Sequence, residues 1–140
     1  MKLSRKCDYC LRALVNLAGR DEGDYVSIAT VAEEERLPVR YLEQIFLSLR
    51  KAGLLSSRAG PGGGYRLRKK PEEISLGQVV RLIDGPVAPV LCVSETAYEK
   101  CPHEKTCALR PVMKDVRDAI AKILDSITIE DARKRAGKLP

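Results

Sequence analysis

Three cysteines, Cys92, Cys101 and Cys107, share one short segment, LCVSETAYEKCPHEKTCALR, with the spacing C-x8-C-x5-C. Thiolates are soft ligands that suit iron–sulfur clusters and zinc. The spacing lacks the C-x2-C knuckle of common structural zinc sites. Three loop thiols would also serve as a redox switch, or as inert side chains. The polar surroundings, SETAYEK and PHEKT, argue against a buried structural role. Two further cysteines, Cys7 and Cys10, fall on the apolar stripe of an N-terminal helix and read as small core residues. The one histidine, His103, lies inside the loop beside Pro102. With no convincing nucleophile–base set, an enzyme is not expected.

The elements that must position this loop lie on either side of it. A helix is expected from Ser4 to Ala18, with Cys7, Cys10, Leu11, Leu14, Leu17 and Ala18 recurring at helical spacing. Ser27 caps a short helix, IATVAEEE. After the ERL turn, Pro38 suits the first position of a third helix running to about Ala52, with Leu42, Ile45, Phe46 and Leu49 inside. Two short helices joined by a tight turn match a helix-turn-helix. A hairpin follows: strand LLSSR, a tip holding four glycines between Gly60 and Gly64, and return strand YRLRKK. A helix-turn-helix with a basic hairpin is a winged helix. Ser75 opens a fourth helix with the box S-L-G-Q, closed by Asp84-Gly-Pro. PVAPVL is an extended connector to the cysteine loop. A long helix from about Ala108 to Ser126 carries an apolar stripe that suggests dimerisation, and Thr128 begins a last short helix before the basic tail RKRAGKLP.

The expected fold is therefore mainly α with a small β-wing. Residues 1–85 form a winged helix-turn-helix domain, 86–107 the connector and cysteine loop, and 108–140 a dimerisation helix and tail. A chain of 140 residues can bury a core without disulfides. No apolar run approaches the ~18 residues that would cross a bilayer, so a cytoplasmic protein with reduced thiols and no membrane partner is expected. The net charge of +6 and pI of about 9.2 fit nucleic-acid binding. The distribution is more telling: Gln44 to Pro71 contains no Asp or Glu but has Arg50, Lys51, Arg58, Arg66, Arg68, Lys69 and Lys70.

The opening MKLSRKCDYCLRALVNLA, the run LPVRYLEQIFLSLRKAGLL and the wing SSRAGPGGGYRL resemble the iron–sulfur winged-helix regulators typified by IscR and NsrR. The resemblance covers nearly the whole chain. It implies a homodimer on double-stranded promoter DNA, and a cluster, 2Fe–2S favoured over 4Fe–4S, held by Cys92, Cys101, Cys107 and a non-cysteine ligand. Three residues after the last cysteine, where the IscR branch has a histidine ligand, this chain has Arg110. The candidates are then Asp8, at an acidic position used by the nitric-oxide-sensing branch across the dimer, and His103. Read locally, Asp8 is a surface i,i+4 partner of Arg12.

The expected DNA contacts are Ser4, Ser27, Arg40, Tyr41, Glu43, Gln44, Arg50, Lys51, Arg58, Gly62, Gly63, Tyr65 and Arg66. Glutamine pairs with adenine and glutamate accepts from cytosine, whereas Arg50, Lys51, Arg58 and Arg66 hold phosphates. The reading is an IscR-type transcription regulator of cluster-assembly genes. Its rivals are a nitric-oxide or thiol-redox sensor of the same fold and, in a different class, a cluster-carrying electron-transfer protein.

Overall fold

The computed structural model describes residues 1–137. Its first two helices begin where a serine hydroxyl satisfies an amide of the opening turn. Ser4 accepts from the Cys7 amide at the start of α1 (Arg5–Ala18), and Ser27 from the Thr30 amide at the start of α2 (Ile28–Glu35). Helix α3 (Val39–Lys51) begins one residue later than expected. Pro38 is its cap, because its ψ of 126° is extended rather than helical. Between α2 and α3 the chain reverses at Arg36, in the left-handed conformation (φ 56°, ψ 48°). Its amide closes the helix by donating to the Ala32 and Glu33 carbonyls.

The wing pairs β1 (Leu55–Arg58) with β2 (Gly64–Leu67), Leu55 opposite Leu67 and Arg58 opposite Gly64. The return strand starts at Gly64 and stops at Leu67, short of the expected RKK extension. The Arg68 amide makes a last bond to the Leu54 carbonyl at 2.9 Å, and Pro71, which has no amide donor, opens a 3-10 turn through Glu73. A third chain segment joins the hairpin at one point: Val26 and Tyr65 exchange both backbone hydrogen bonds, at 2.9 and 2.8 Å.

Helix α4 (Leu76–Asp84) is capped by Ser75, which accepts from the Gln78 amide. Helix α5 (Arg110–Ser126) starts two residues later than expected, with Pro111 in its first turn. Helix α6 (Ile129–Ala136) absorbs the first part of what reads as a tail. Thr128 and Asp131 form a capping box, Glu130 and Asp131 lie at its positive end, and Arg133, Lys134 and Arg135 at its negative end.

One core joins α1, α2, α3, the hairpin, α4 and α6. Cys10, Leu14, Val31, Leu42, Ile45, Phe46, Leu49, Ile74, Val79 and Ile129 are fully enclosed. Ile129 reaches it because residues 127–129 pair with 74–76: the Leu76 amide donates to Ile127 and the Ile129 amide to Ile74, both at 2.8 Å. Burying one such isoleucine contributes roughly 1.5–3 kcal/mol. Helix α5 has no fully buried residue. It meets the rest through Ile120, Ala121 and Leu124, packed on Cys7, Val80 and Val87, and through Arg81 of α4, which grips Asp125 with bonds of 2.5 and 3.0 Å. A Cβ on Gly77 would stand 1.9 Å from the Asp125 carboxylate, so α4 carries no side chain at that crossing.

Arg36 is the one non-glycine residue at positive φ among the described residues. A left-handed conformation costs an ordinary residue roughly 1–2 kcal/mol, and most for a β-branched one. Arg36→Gly is expected to keep or raise the urea midpoint, and Arg36→Val to lower stability by about 1 kcal/mol or more. A valine variant as stable as wild type would show that the turn tolerates another conformation.

Candidate DNA interface and cysteine loop

Helix α3 is the second helix of the helix-turn-helix, and its two faces separate cleanly. Leu42, Ile45, Phe46 and Leu49 point into the core, while Arg40, Tyr41, Glu43, Gln44, Arg50 and Lys51 are exposed. Tyr41 is steadied by the Tyr9 ring of α1, edge to face at 5.4 Å. Glu43 makes no ion pair among the described residues, so the pairing with Arg40 open to it in sequence is not formed. Its carboxylate stands free beside Gln44.

The two cap serines differ. Ser27 is exposed at the start of α2. Ser4 is committed: its amide donates to the Asp84 carboxylate at 2.8 Å, its hydroxyl donates to the same group, and that oxygen also accepts the Cys7 amide.

The wing is built where side chains are excluded. A Cβ on Gly63 would lie 2.1 Å from the Arg58 carbonyl oxygen, and one on Gly64 would lie 2.2 Å from that of Val26. Gly62 adopts φ 72°, and its carbonyl accepts from the Arg58 guanidinium at 3.0 Å. Tyr65 packs its ring on Phe46 at 5.0 Å, fixing the wing to α3. Arg66 donates to the Gly23 carbonyl at 3.2 Å. The guanidinium groups of Arg58 and Arg66 both lie 4.6 Å from the centroid of the Tyr25 ring. Sequence reasoning missed Tyr25, because only its register beside Tyr65 reveals the neighbourhood.

The cysteine loop is tied down from α5. Arg110 donates to the Cys92 carbonyl at 3.2 Å and faces the Glu104 carboxylate at 3.3 Å. Glu104 accepts from the Tyr98 hydroxyl at 2.8 and 2.9 Å, which pushes that phenol above its usual range. About two turns further on, Arg117 donates to the Val93 carbonyl at 2.6 Å and meets Glu95 and Asp118. Cys92 sits in a 3-10 turn (Leu91–Val93); Cys92, Cys101 and Cys107 are half-buried free thiols. His103 is exposed. Asp8 is half-exposed and paired with Arg12 at 3.1 Å, as its local reading has it.

An iron–sulfur group matches this donor set in kind, three thiols on one anchored loop. Among the described residues, however, no three Cys, His, Asp or Glu side chains converge as a ligand set within one protomer. Cys7 and Cys10 are another matter. Both are fully buried, and burial first, with the Asp84 carboxylate behind it for Cys7, pushes their thiols up to about 11 and about 12. They stay protonated at neutral pH, and the thiolate is the form that binds metal.

An amphipathic second helix with a polar outer face, backed by a glycine-built basic hairpin, defines a winged-helix DNA-binding protein. Residues 3–135 match the family described as Rrf2, iron-dependent transcriptional regulator, and the chain belongs to that family. It is 40% identical over 135 residues to a Rhodobacter capsulatus protein named as an rrf2-like HTH-type transcriptional regulator, covering 92% of this chain and 90% of that one. Its structure is similar to that of CymR, the global cysteine regulator of B. subtilis (TM-score 0.78, 32% identity, 96% of this chain and 98% of that one). It is also similar to IscR of T. potens (TM-score 0.76, 32% identity, 97% and 88%). The chain is a DNA-binding transcription regulator with the fold shared by both. No helix among the described residues is long and apolar enough to cross a membrane.

Arg110 stands where the resemblance has a histidine ligand, and a guanidinium, which offers N–H donors and no acceptor, does not take that place. Its geometry is that of a brace. Arg110→Ala is expected to speed amide hydrogen exchange across residues 92–107 while leaving the core amides of α1 and α3 protected. Unchanged exchange in the loop would remove the brace from the account.

Proposed function

We infer that this regulator senses through its cysteine loop in the manner of the IscR type, as a homodimer on promoter DNA, with iron–sulfur cluster assembly genes as its targets. One observation carries the reading most: three half-buried thiols lie on a loop fastened by Arg110 and Arg117 to the helix that also contacts α4 of the DNA-binding half. The exposed apolar residues Val112, Val116 and Ile123 of α5, with Leu109 just before it, support a second copy packing there. Cys92, Cys101 and Cys107 would hold the cluster, 2Fe–2S favoured, with Asp8 of the second copy completing it and His103 as the rival ligand. A cluster there would supply a centre responsive to oxygen, nitric oxide or iron supply.

On the DNA side, Arg40, Tyr41, Glu43 and Gln44 face base edges. Arg50, Lys51, Arg58 and Arg66 hold phosphates, with the N-terminus of α2 at Ser27 beside them and Ser4 fixing the start of α1. Gly62, Gly63 and Tyr65 shape the wing that enters the adjacent groove. A second reading, thiol–disulfide sensing without a cluster, is favoured by the unassembled ligand set in one protomer.

Anaerobic reconstitution with iron and sulfide assays separates the two readings. Each of Cys92→Ala, Cys101→Ala and Cys107→Ala is expected to abolish the visible absorption, while Cys7→Ala and Cys10→Ala retain it. Asp8→Ala should shorten cluster lifetime under oxygen or chelator, and loss in His103→Ala alone would transfer the role. No iron bound by wild type would leave the thiol switch as the mechanism.

Glu43 tests the reading helix. An unpaired carboxylate near phosphates weakens binding to any sequence unless a donor such as cytosine N4 meets it. Glu43→Ala should bind random duplex more tightly but discriminate less, by about 1–3 kcal/mol per half-site. Competition between cognate and scrambled duplexes at one fixed salt measures this. An unchanged specificity ratio would make Glu43 a solvated side chain.

A further inference from the structure

We propose that Tyr25 is a positioning residue of the wing, whose ring holds the guanidinium groups of Arg58 and Arg66 ready for DNA phosphates. The proposal rests on the reading of the wing as a phosphate-contacting element. Backbone register brings the three side chains together. Val26 is paired with Tyr65 in antiparallel sense, so Tyr25 falls beside Arg66. Arg58 is opposite Gly64, two residues from Arg66, and positions two apart share a face of the sheet. Gly64 has no side chain, which lets the Val26 backbone, and with it Tyr25, come this close to the wing. Both guanidiniums then reach 4.6 Å from the ring centroid, within range of attraction to its negative face.

The choice of partner has a chemical consequence. Two guanidiniums at one ring repel each other, and a carboxylate would be the ordinary remedy. Neither Arg58 nor Arg66 makes an ion pair among the described residues. A carboxylate would cancel the charge that DNA needs and would have to be displaced on binding. An aromatic face orders the cations and leaves their charge intact. Each guanidinium also commits one nitrogen to a carbonyl, Arg58 to Gly62 and Arg66 to Gly23, leaving the rest of its donor fork free for phosphate oxygens. Two long side chains are thereby ordered before DNA arrives, so less freedom is lost on binding.

The test uses the full chain and a labelled random-sequence duplex, followed by fluorescence anisotropy across a salt series. Tyr25→Leu should bind about tenfold more weakly with the salt slope unchanged, since the same phosphates are neutralised. Tyr25→Phe should bind as wild type. Arg58→Ala should weaken binding and flatten the slope by about one. If Arg58→Ala has no effect, the wing reading fails and this proposal falls with it. If Arg58→Ala weakens binding while Tyr25→Leu does not, the ring has no positioning role. A Tyr25→Phe variant as weak as Tyr25→Leu would point to a hydroxyl contact and overturn the proposal. Should Tyr25→Leu fail to fold, Tyr25→Phe with successively fluorinated rings keeps the shape and drains the negative face. Affinity should then fall with each added fluorine, and a flat series would overturn the proposal.

Discussion

Two backbone hydrogen bonds between Val26 and Tyr65 hold the hairpin against the helix-turn-helix, and the geometry of the DNA-binding half follows from that contact. The approach is so close that residue 64 must lack a side chain, since a Cβ would strike the Val26 carbonyl. With the chains at this distance, Tyr65 reaches Phe46 on the inner face of α3, and Tyr25 comes level with Arg66. Wing and second helix are thus referred to one point. A shift in the pairing by one residue would send Tyr65 to the opposite face and detach the hairpin from the core.

The connection from the cysteine loop to this unit is made of weaker parts. Arg81–Asp125 and Arg110–Glu104 are partly exposed pairs, and such pairs contribute little, typically up to ~1 kcal/mol. They set direction more than strength. The firmer constraint at the α4–α5 crossing is steric: Gly77 lets the Asp125 side chain lie against the α4 backbone, while Val80, Val87, Ile120 and Leu124 close the space above Cys7. A helix held firmly near one end, and by hydrogen bonds to a loop near the other, is suited to carry a displacement of the loop as a small tilt.

Much of the fold is legible in the sequence because its signals are local. Serine caps, helical spacing of leucines and isoleucines, and a glycine-rich tip each act within a few residues, and α1 to α4 and the hairpin appear where those signals place them. Errors of one or two residues arise where two conformations suit the same residue, as at Pro38, whose fixed φ serves a cap as well as a first turn. The rest depends on contacts between residues far apart in the chain. Nothing near Ile129 announces that it completes the core, nothing near Tyr25 that it stands beside two wing arginines, and nothing near Ser4 that Asp84 will take its hydroxyl. The loop cysteines are conspicuous by spacing, yet nothing near Arg117 announces that it fastens their loop, and Arg110 stands out in sequence only by standing where the resemblance has a histidine.

The pairing of residues 127–129 with 74–76 bears on when the protein acquires its shape. Ile129 is one of the fully enclosed side chains of the core, and it is separated from Ile74 by α4, the connector, the cysteine loop and all of α5. A contact across so long a loop forms late, because the intervening chain must be ordered before the contact repays its closure. During synthesis the helix-turn-helix leaves the ribosome well ahead of its last core residue. Until α6 is delivered, the Ile74 carbonyl lacks the amide that Ile129 brings to it, so the helix-turn-helix draws part of its support from the far end of the chain.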